Sequence, residues 1–216
     1  VKIRNIPPLD QWIKQEFNIK QIRDIRIEDL LERETIHLSS EHVYRELSGR
    51  VVCITGAAGS IGSEIARQVL NYSPAGLILI DQNESGLFDL ERVLRKIAKN
   101  TSLFPYLADI TNTHRIQYIF EEHKPHLVFH AAAYKHVPLM ETHPAEAVLC
   151  NILGTKILAD VSVSTGVEKF VMISTDKAVN PTSIMGCSKR VAELYVQSLN
   201  KHLSTQAKSK QHTAFI

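Results

Sequence analysis

Residues 51–70, VVCITGAAGSIGSEIARQVL, constrain the fold of this chain more than any other stretch. A β-rich apolar run passes through Gly56, Gly59 and Gly62 straight into a helical pattern. A tight turn needs one residue without a Cβ, close approach of backbone to a pyrophosphate needs another, and helix-on-strand packing needs a third. Free N–H groups at the start of that helix then face an anion, and Ala58, Ser60 and Ile61 share the turn. A glycine triplet alone is a weak signal. This one follows a strand, opens a helix and is answered by Asp81, nineteen residues past Gly62 at the end of the next strand. A carboxylate there accepts hydrogen bonds from ribose hydroxyls and repels a 2′-phosphate, which favours NAD over NADP. Asn83 and Arg92, close by in sequence, weigh the other way.

From Arg50 onward, strand-like and helix-like runs alternate. Strands are expected at 51–55, 76–81, 103–109, 126–131 and 169–175, and helices at 60–71, 85–100, 111–123, 144–165 and 184–202, with the final HTAFI opening a sixth strand. Strands joined by helices of that length form right-handed crossovers and therefore a parallel sheet with helices on both faces. The near-continuous apolar strands agree, because a doubly covered sheet buries both sides. The reading is an α/β, Rossmann-type doubly wound sheet over 48–216, preceded by a mostly helical arm over 1–47.

That arm holds the Pro-marked IPPLDQW and RIEDLLER, a short amphipathic helix at best, with no convincing strand and no glycine before Gly49. The chain opens on Val1 rather than Met and stops inside an apolar run, so it reads as part of a longer protein.

Ligands of such sheets lie beyond the carboxyl ends of the strands. Asp109, followed by Ile110, ends the third strand. It reads either as meeting the adenine edge or as capping the helix before Thr111. HAAAYKH ends the fourth, where Ala131, Ala132 and Ala133 are small enough for a dinucleotide to lie against the backbone.

Bulk properties exclude other classes. With 25 basic and 23 acidic residues, no basic field points to nucleic acid. Three separated cysteines without C-x-x-C or His/Cys ligand spacing give no zinc site and no disulfide framework, which fits a reduced compartment. Apolar runs such as GLILI and LVFHAAA are strand-sized, and no signal peptide is expected within these residues.

The chemistry points to ISTDKAVNPTSIMGCSK, residues 173–189. Thr175, Asp176 and Lys177 stand side by side, and Met185 precedes Lys189 by four. Many nicotinamide enzymes place a proton-carrying Tyr four residues before such a Lys. A thioether has no ionisable proton, so Met185 is an apolar packing surface near sugar or nicotinamide and the proton moves elsewhere. By itself, Asp-Lys also reads as a solvated pair on a surface turn.

TGAAGSIG, HAAAYKHVPLME, NILGT and STDKAVNPTSIMGCSKR together resemble the extended short-chain dehydrogenase/reductase superfamily. Within it they are similar to the nucleotide-sugar 4,6-dehydratases of bacterial capsule, O-antigen and protein-glycan synthesis. The likeness runs from about Ile3 to the end; AAYKHVPLME and STDKAVNP are specific to this group, whereas the glycine motif is widely shared. Short soluble members keep the Tyr. Long membrane-anchored members carry Met, and Met185 with the arm resembles that long form.

The resemblance implies transmembrane helices upstream of Val1, a catalytic domain on the cytoplasmic face of the bacterial inner membrane, and a substrate-binding part beyond Ile216. It implies tightly held NAD and a UDP-N-acetylhexosamine substrate, UDP-N-acetylglucosamine foremost; a homo-oligomer is expected. In the family reaction a hydride leaves C4, the new 4-keto group acidifies C5, water departs across C5–C6, and the hydride returns to C6. By likeness Lys189 holds the nicotinamide ribose, and Asp176 and Lys177 are acid and base of the elimination. Thr175, the nearest candidate by sequence, is expected as hydrogen-bond partner or proton relay for the 4-hydroxyl, with help from Lys189 or water. Lys135 and His136 reach the diphosphate or the sugar. Asp176 must be protonated to donate and Lys177 neutral to accept; burial favours this and their mutual attraction opposes it. Asn151 in NILGT reads as support for backbone near the site. A UDP-sugar 4-epimerase, which relies on the missing Tyr, and a non-catalytic dinucleotide-binding module are the competing readings.

Overall fold

Along Val51–Thr55 (β3), buried side chains go alternately to opposite sides: Val52 and Ile54 enter one core and Cys53 the other. Gly76–Asp81 (β4) repeats this with Leu77 and Leu79 against Ile78 and Ile80. The period of two sends every second residue to each face, and both faces are covered. The computed structural model describes residues 4–5, 23–24, 40–206 and 213–216. Ser102–Leu107 (β5), Leu127–His130 (β6), Lys169–Met172 (β7) and Ala214–Phe215 (β8) complete a six-stranded sheet of order β5-β4-β3-β6-β7-β8. Every pair in it is parallel. The chain is a Rossmann-type α/β fold, and the strand order reverses on either side of β3, which opens a crevice at its carboxyl end.

The chain divides into two compact units, 1–40 and 41–216. In the first, Arg4–Asn5 (β1) and Arg23–Asp24 (β2) pair antiparallel, a small sheet where none was expected. The helix expected at RIEDLLER lies outside the described residues. Helix α1, Ser40–Leu47, delivers Leu47 to the core beneath Val52 and Ile54.

Helices Ser60–Leu70 (α2) and Glu84–Leu94 (α3) cover that same face. The other face is covered by Thr113–His123 (α4), Pro144–Thr165 (α6) and Ile184–Gln206 (α7). Helix α6 matches its expected limits but contains a π-helical stretch, Val148–Gly154. Among the described residues it is the one helix long and apolar enough to cross a membrane, and half of its apolar window is buried in the protein. It gives Ile157, Leu158, Ala159 and Val161 to the core.

Several boundaries differ from expectation for physical reasons. The strand expected to reach 175 stops at Met172, because its neighbour β6 ends at His130, the register partner of Met172. The helix expected to reach 100 stops at Leu94, its last buried residue; Ile97 beyond it is exposed. A short helix, Val137–Thr142 (α5), was not expected, and Pro138 in its first turn suits such a start.

Phe170 in β7 is fully buried, with ring contacts to His130 at 5.8 Å and Phe215 at 5.3 Å. Phe170→Ala should lower unfolding free energy by about 3–5 kcal/mol in chemical denaturation, with an unchanged far-ultraviolet spectrum below the transition.

Candidate active site

The glycine turn is backbone packed on backbone. Gly56 has φ of 65°, and a Cβ on it would stand 2.5 Å from the Ala132 nitrogen and 2.7 Å from the Ala131 carbonyl carbon. A Cβ on Gly62 would fall 2.1 Å from the Gly56 oxygen. Gly59 differs: a Cβ there meets only the Gly56 oxygen, at 3.2 Å, so its other side is open. Asp81 fastens this turn. One carboxylate oxygen accepts from the Ala58 N–H at 2.8 Å, and the other from the Asn83 N–H at 2.9 Å.

Above the turn lies a cleft of about 250 Å³. Gly56, Ala58, Gly59, Ser60, Ile61, Gly62, Asp81, Asp109, Ile110, Ala131, Ala132 and Ala133 all line it. No side chain caps α2, so its leading N–H groups are left for an anion in the cleft. Open backbone at Gly59, an uncapped helix start and a carboxylate at the end of β4 fit the diphosphate and ribose of a dinucleotide. Lys135 lines the same cleft rather than a separate sugar pocket, whereas the exposed His136 does not. Arg92 pairs with Asp89 on the surface of α3, away from the cleft. Asp109 accepts from the Thr111 N–H at 2.8 Å, but the helix cap is Asn112, which accepts from the Arg115 N–H.

Six lining residues had no site role in the sequence reading: Ile80, Gln82, Ala108, Tyr134, Cys150 and, as a wall residue, Asn83. Burial pushes the Cys150 thiol pKa up. Behind them stand two buried polar networks. The Asn151 carboxamide accepts from the Tyr134 N–H at 2.8 Å and donates to the Tyr134 carbonyl at 3.0 Å and to Ser188 Oγ at 2.9 Å. Ser188 in turn donates to the Met185 carbonyl. One side chain in the π-helical stretch thus ties the cleft wall to the start of α7.

His130, also unassigned from sequence, is fully buried between Thr55 Oγ1 at 2.7 Å and Thr155 Oγ1 at 2.9 Å. Thr155 donates its own proton to the Asn151 carbonyl at 2.6 Å. Its oxygen therefore accepts from His130 Nε2–H, and Thr55 donates to Nδ1, which fits a neutral ring. Burial, with Lys189 nearby, lowers the His130 pKa to about 3.

The residues expected to do chemistry lie at the ends of β7 and α7 and do not line this cleft. The first turn of α7 is fixed by Ser183, which accepts from the Gly186 N–H, and by Glu141, which accepts from the Ile184 N–H. Four residues apart on the helix, Met185 and Lys189 are both buried. Met185 joins Met140 and Ala147 in an apolar cluster with Tyr134, Val137 and Ile184 packed around it. Lys189 donates to the Ile173 carbonyl at 2.9 Å, and burial lowers its pKa.

Thr175 donates to Asp176 Oδ1 at 2.9 Å, and Lys177 Nζ stands 3.4 Å from the same oxygen. The Asp176 side chain is 88% exposed and that of Lys177 56%. Between burial and mutual attraction, attraction wins here. The Thr175 hydroxyl first, and then Lys177, hold the Asp176 pKa below its ordinary value, opposite to what an acid needs.

A parallel sheet with this glycine turn, and a Lys on the helix after β7, define the dinucleotide-binding domain of an extended short-chain dehydrogenase/reductase. Comparison narrows the class. The family described as "Polysaccharide biosynthesis protein" matches residues 52–216, and the chain belongs to that family. It is 44% identical over 202 residues to the capsular polysaccharide biosynthesis protein CapD of Staphylococcus aureus, covering 93% of this chain and 34% of that protein. A UDP-N-acetylglucosamine 4,6-dehydratase (inverting) of Campylobacter jejuni is 31% identical over 156 residues, 71% of this chain and 45% of that protein. A UDP-glucose 4-epimerase of Rickettsia rickettsii is 34% identical over 148 residues, 67% and 42%. The solved structure of Pen from Bacillus thuringiensis superposes with a TM-score of 0.69 at 32% identity, over 78% of this chain and 49% of that one. The chain therefore spans from about a third to under half of the length of these relatives.

Two outcomes follow. Gly62→Ala drives a Cβ into the Gly56 carbonyl, so the turn must rearrange; titration with NAD+ should show affinity down at least tenfold. His130 is neutral in the fold down to about pH 3, whereas the unfolded chain takes up a proton near pH 6.5. Acidification between those values therefore favours unfolding, by up to about 1.4 kcal/mol per pH unit. Denaturation at pH 7 and pH 5 should show this loss, and His130→Gln should show a smaller one.

Proposed function

We propose that the chain is the NAD-binding and catalytic part of a nucleotide-sugar 4,6-dehydratase, acting on UDP-N-acetylglucosamine at the cytoplasmic face of the bacterial membrane. The observation that carries this is the Thr175–Asp176–Lys177 constellation at the carboxyl end of β7, joined by hydrogen bonds and set beside buried Lys189. Elimination of water needs an acid for the C6 hydroxyl and a base for C5 together, whereas 4-epimerisation needs proton transfer only at the 4-hydroxyl. The resemblance in the same residues and the likeness to a UDP-N-acetylglucosamine 4,6-dehydratase support the substrate class.

NAD, held by the glycine turn and Asp81, supplies the temporary acceptor for the hydride that leaves C4 and later returns to C6. In this reading, which rests on the resemblance, Lys189 holds the nicotinamide ribose. Thr175 donates a hydrogen bond to Asp176, so its oxygen lone pairs remain to accept the 4-hydroxyl hydrogen and to pass that proton to water on oxidation.

Asp176 and Lys177 stand as an exposed ion pair. A sugar docked over them excludes water, which raises the cost of both charges and favours the neutral pair. The proton then passes from Lys177 to Asp176 across the 3.4 Å between them. Lys177, now neutral, removes the C5 proton, and Asp176, now protonated, gives its proton to the departing C6 hydroxyl. When the hydride returns to C6, Lys177 gives its proton back to C5. The proton that left the 4-hydroxyl through Thr175 and water recharges Asp176, so the net loss is one water. Release of the product restores the ion pair. Met185 takes no part in proton transfer and contributes apolar packing.

The test is incubation of the full-length protein with UDP-N-acetylglucosamine and no added reductant, followed by mass spectrometry. A product lighter by one water is expected. Asp176→Asn and Lys177→Met should each reduce its formation by about a hundredfold or more, while Met185→Leu stays within about tenfold. A sugar isomer of unchanged mass would establish an epimerase instead. Bound NAD with no change in substrate would mark a non-catalytic module.

A further inference from the structure

Beyond the backbone cradle, one side-chain contact joins the two walls of the cleft. Gln82 directly follows the last residue of β4, and Tyr134 lies four residues past the last residue of β6. Those two strands flank β3, from which the glycine turn rises. Gln82 Nε2 donates to Tyr134 Oη at 3.1 Å, and both residues line the cleft. The bond therefore spans the carboxyl end of β3, where the diphosphate of a dinucleotide belongs.

The two partners are held very differently. Asn151 grips the Tyr134 peptide at both its N–H and its carbonyl, and the ring rests on the apolar cluster of Met140, Ala147 and Met185. Gln82 is exposed. Tyr134 is thus the fixed half of the contact and Gln82 the movable half. The bond uses a lone pair of the phenol oxygen, so the O–H proton remains to donate to a phosphate or hydroxyl group inside the cleft.

We propose that Gln82 and Tyr134 form a latch over the dinucleotide cleft that slows release of the cofactor, with the Tyr134 hydroxyl as a direct ligand to it. The proposal rests on the NAD reading above and deepens it. A redox-neutral cycle that takes a hydride and gives it back has use for slow release, because a cofactor lost midway leaves the sugar oxidised. The latch supplies a physical means: the ligand leaves only after the bond between the walls opens.

Dissociation of etheno-NAD+ from the chain, chased with excess NAD+ in a stopped-flow fluorimeter, tests this. Tyr134→Phe keeps the ring and removes both the latch and the donor; the dissociation rate should rise about five- to tenfold. Gln82→Leu removes the latch alone and should raise it about threefold. Association rates should stay within about twofold in both, and the thermal midpoints of the unliganded variants should match the parent. Dissociation rates equal to the parent in both variants would overturn the latch. So would faster association with unchanged dissociation, since the contact would then be a barrier to entry. A parent chain without saturable etheno-NAD+ binding would instead overturn the dinucleotide reading of the cleft, before any variant is made.

Discussion

The site depends on one steric constraint: the turn after β3 and the segment after β6 touch through their backbones, with no room for a Cβ at Gly56 or Gly62. That approach sets the floor of the cleft and aims the start of α2 into it. It also brings the Ala58 N–H to the Asp81 carboxylate, so that β4 is tied into the same floor. Asp81 therefore has a structural duty as well as the recognition duty expected of it. A carboxylate has about four lone-pair sites, and two N–H donors leave sites for ribose hydroxyls.

Above this floor the molecule keeps its buried polar groups in closed circuits. Asn151 satisfies Tyr134 from both sides and reaches Ser188, while His130 sits between two threonines whose hydroxyls settle its tautomer. Such networks are tolerable in an apolar interior only when each member finds its partner, and they then specify one arrangement. The π-helical stretch in α6 serves this purpose. It carries Asn151 and Cys150 at its centre, and Thr155, just past its end, donates back to the Asn151 carbonyl. The exposed Asp176–Lys177 pair is the opposite case, responsive to whatever covers it.

How far the sequence could be read follows from the range of each interaction. The glycine turn, the alternating strands and the apolar faces of the helices are local, and β3, β4 and α6 emerged with their expected limits. Strand ends were not local: Met172 ends β7 because of where β6 stops. The residues expected along the cleft do line it, because they stand at or just past strand ends, although Gln82, Tyr134 and Cys150 were missed. The contacts that organise it join residues far apart, as Gln82 joins Tyr134 and Asn151 joins Ser188, and no spacing announces them. Likewise, the charge state of Asp176 depends on exposure, which two adjacent letters do not encode.

The apolar seat of Met185 bears on how such sites can change over evolutionary time. Met140 and Ala147 close around position 185, with Tyr134, Val137 and Ile184 packed against them. A phenol ring at 185 would overpack that seat, at about 1–3 kcal/mol, unless a neighbour shrank first. Shrinking the neighbour alone leaves a void of comparable cost. A tyrosine at 185 is thus coupled to a second substitution among its neighbours, and either change alone costs stability. The identity of residue 185 is tied to the packing of its neighbours, quite apart from any part it has in the chemistry.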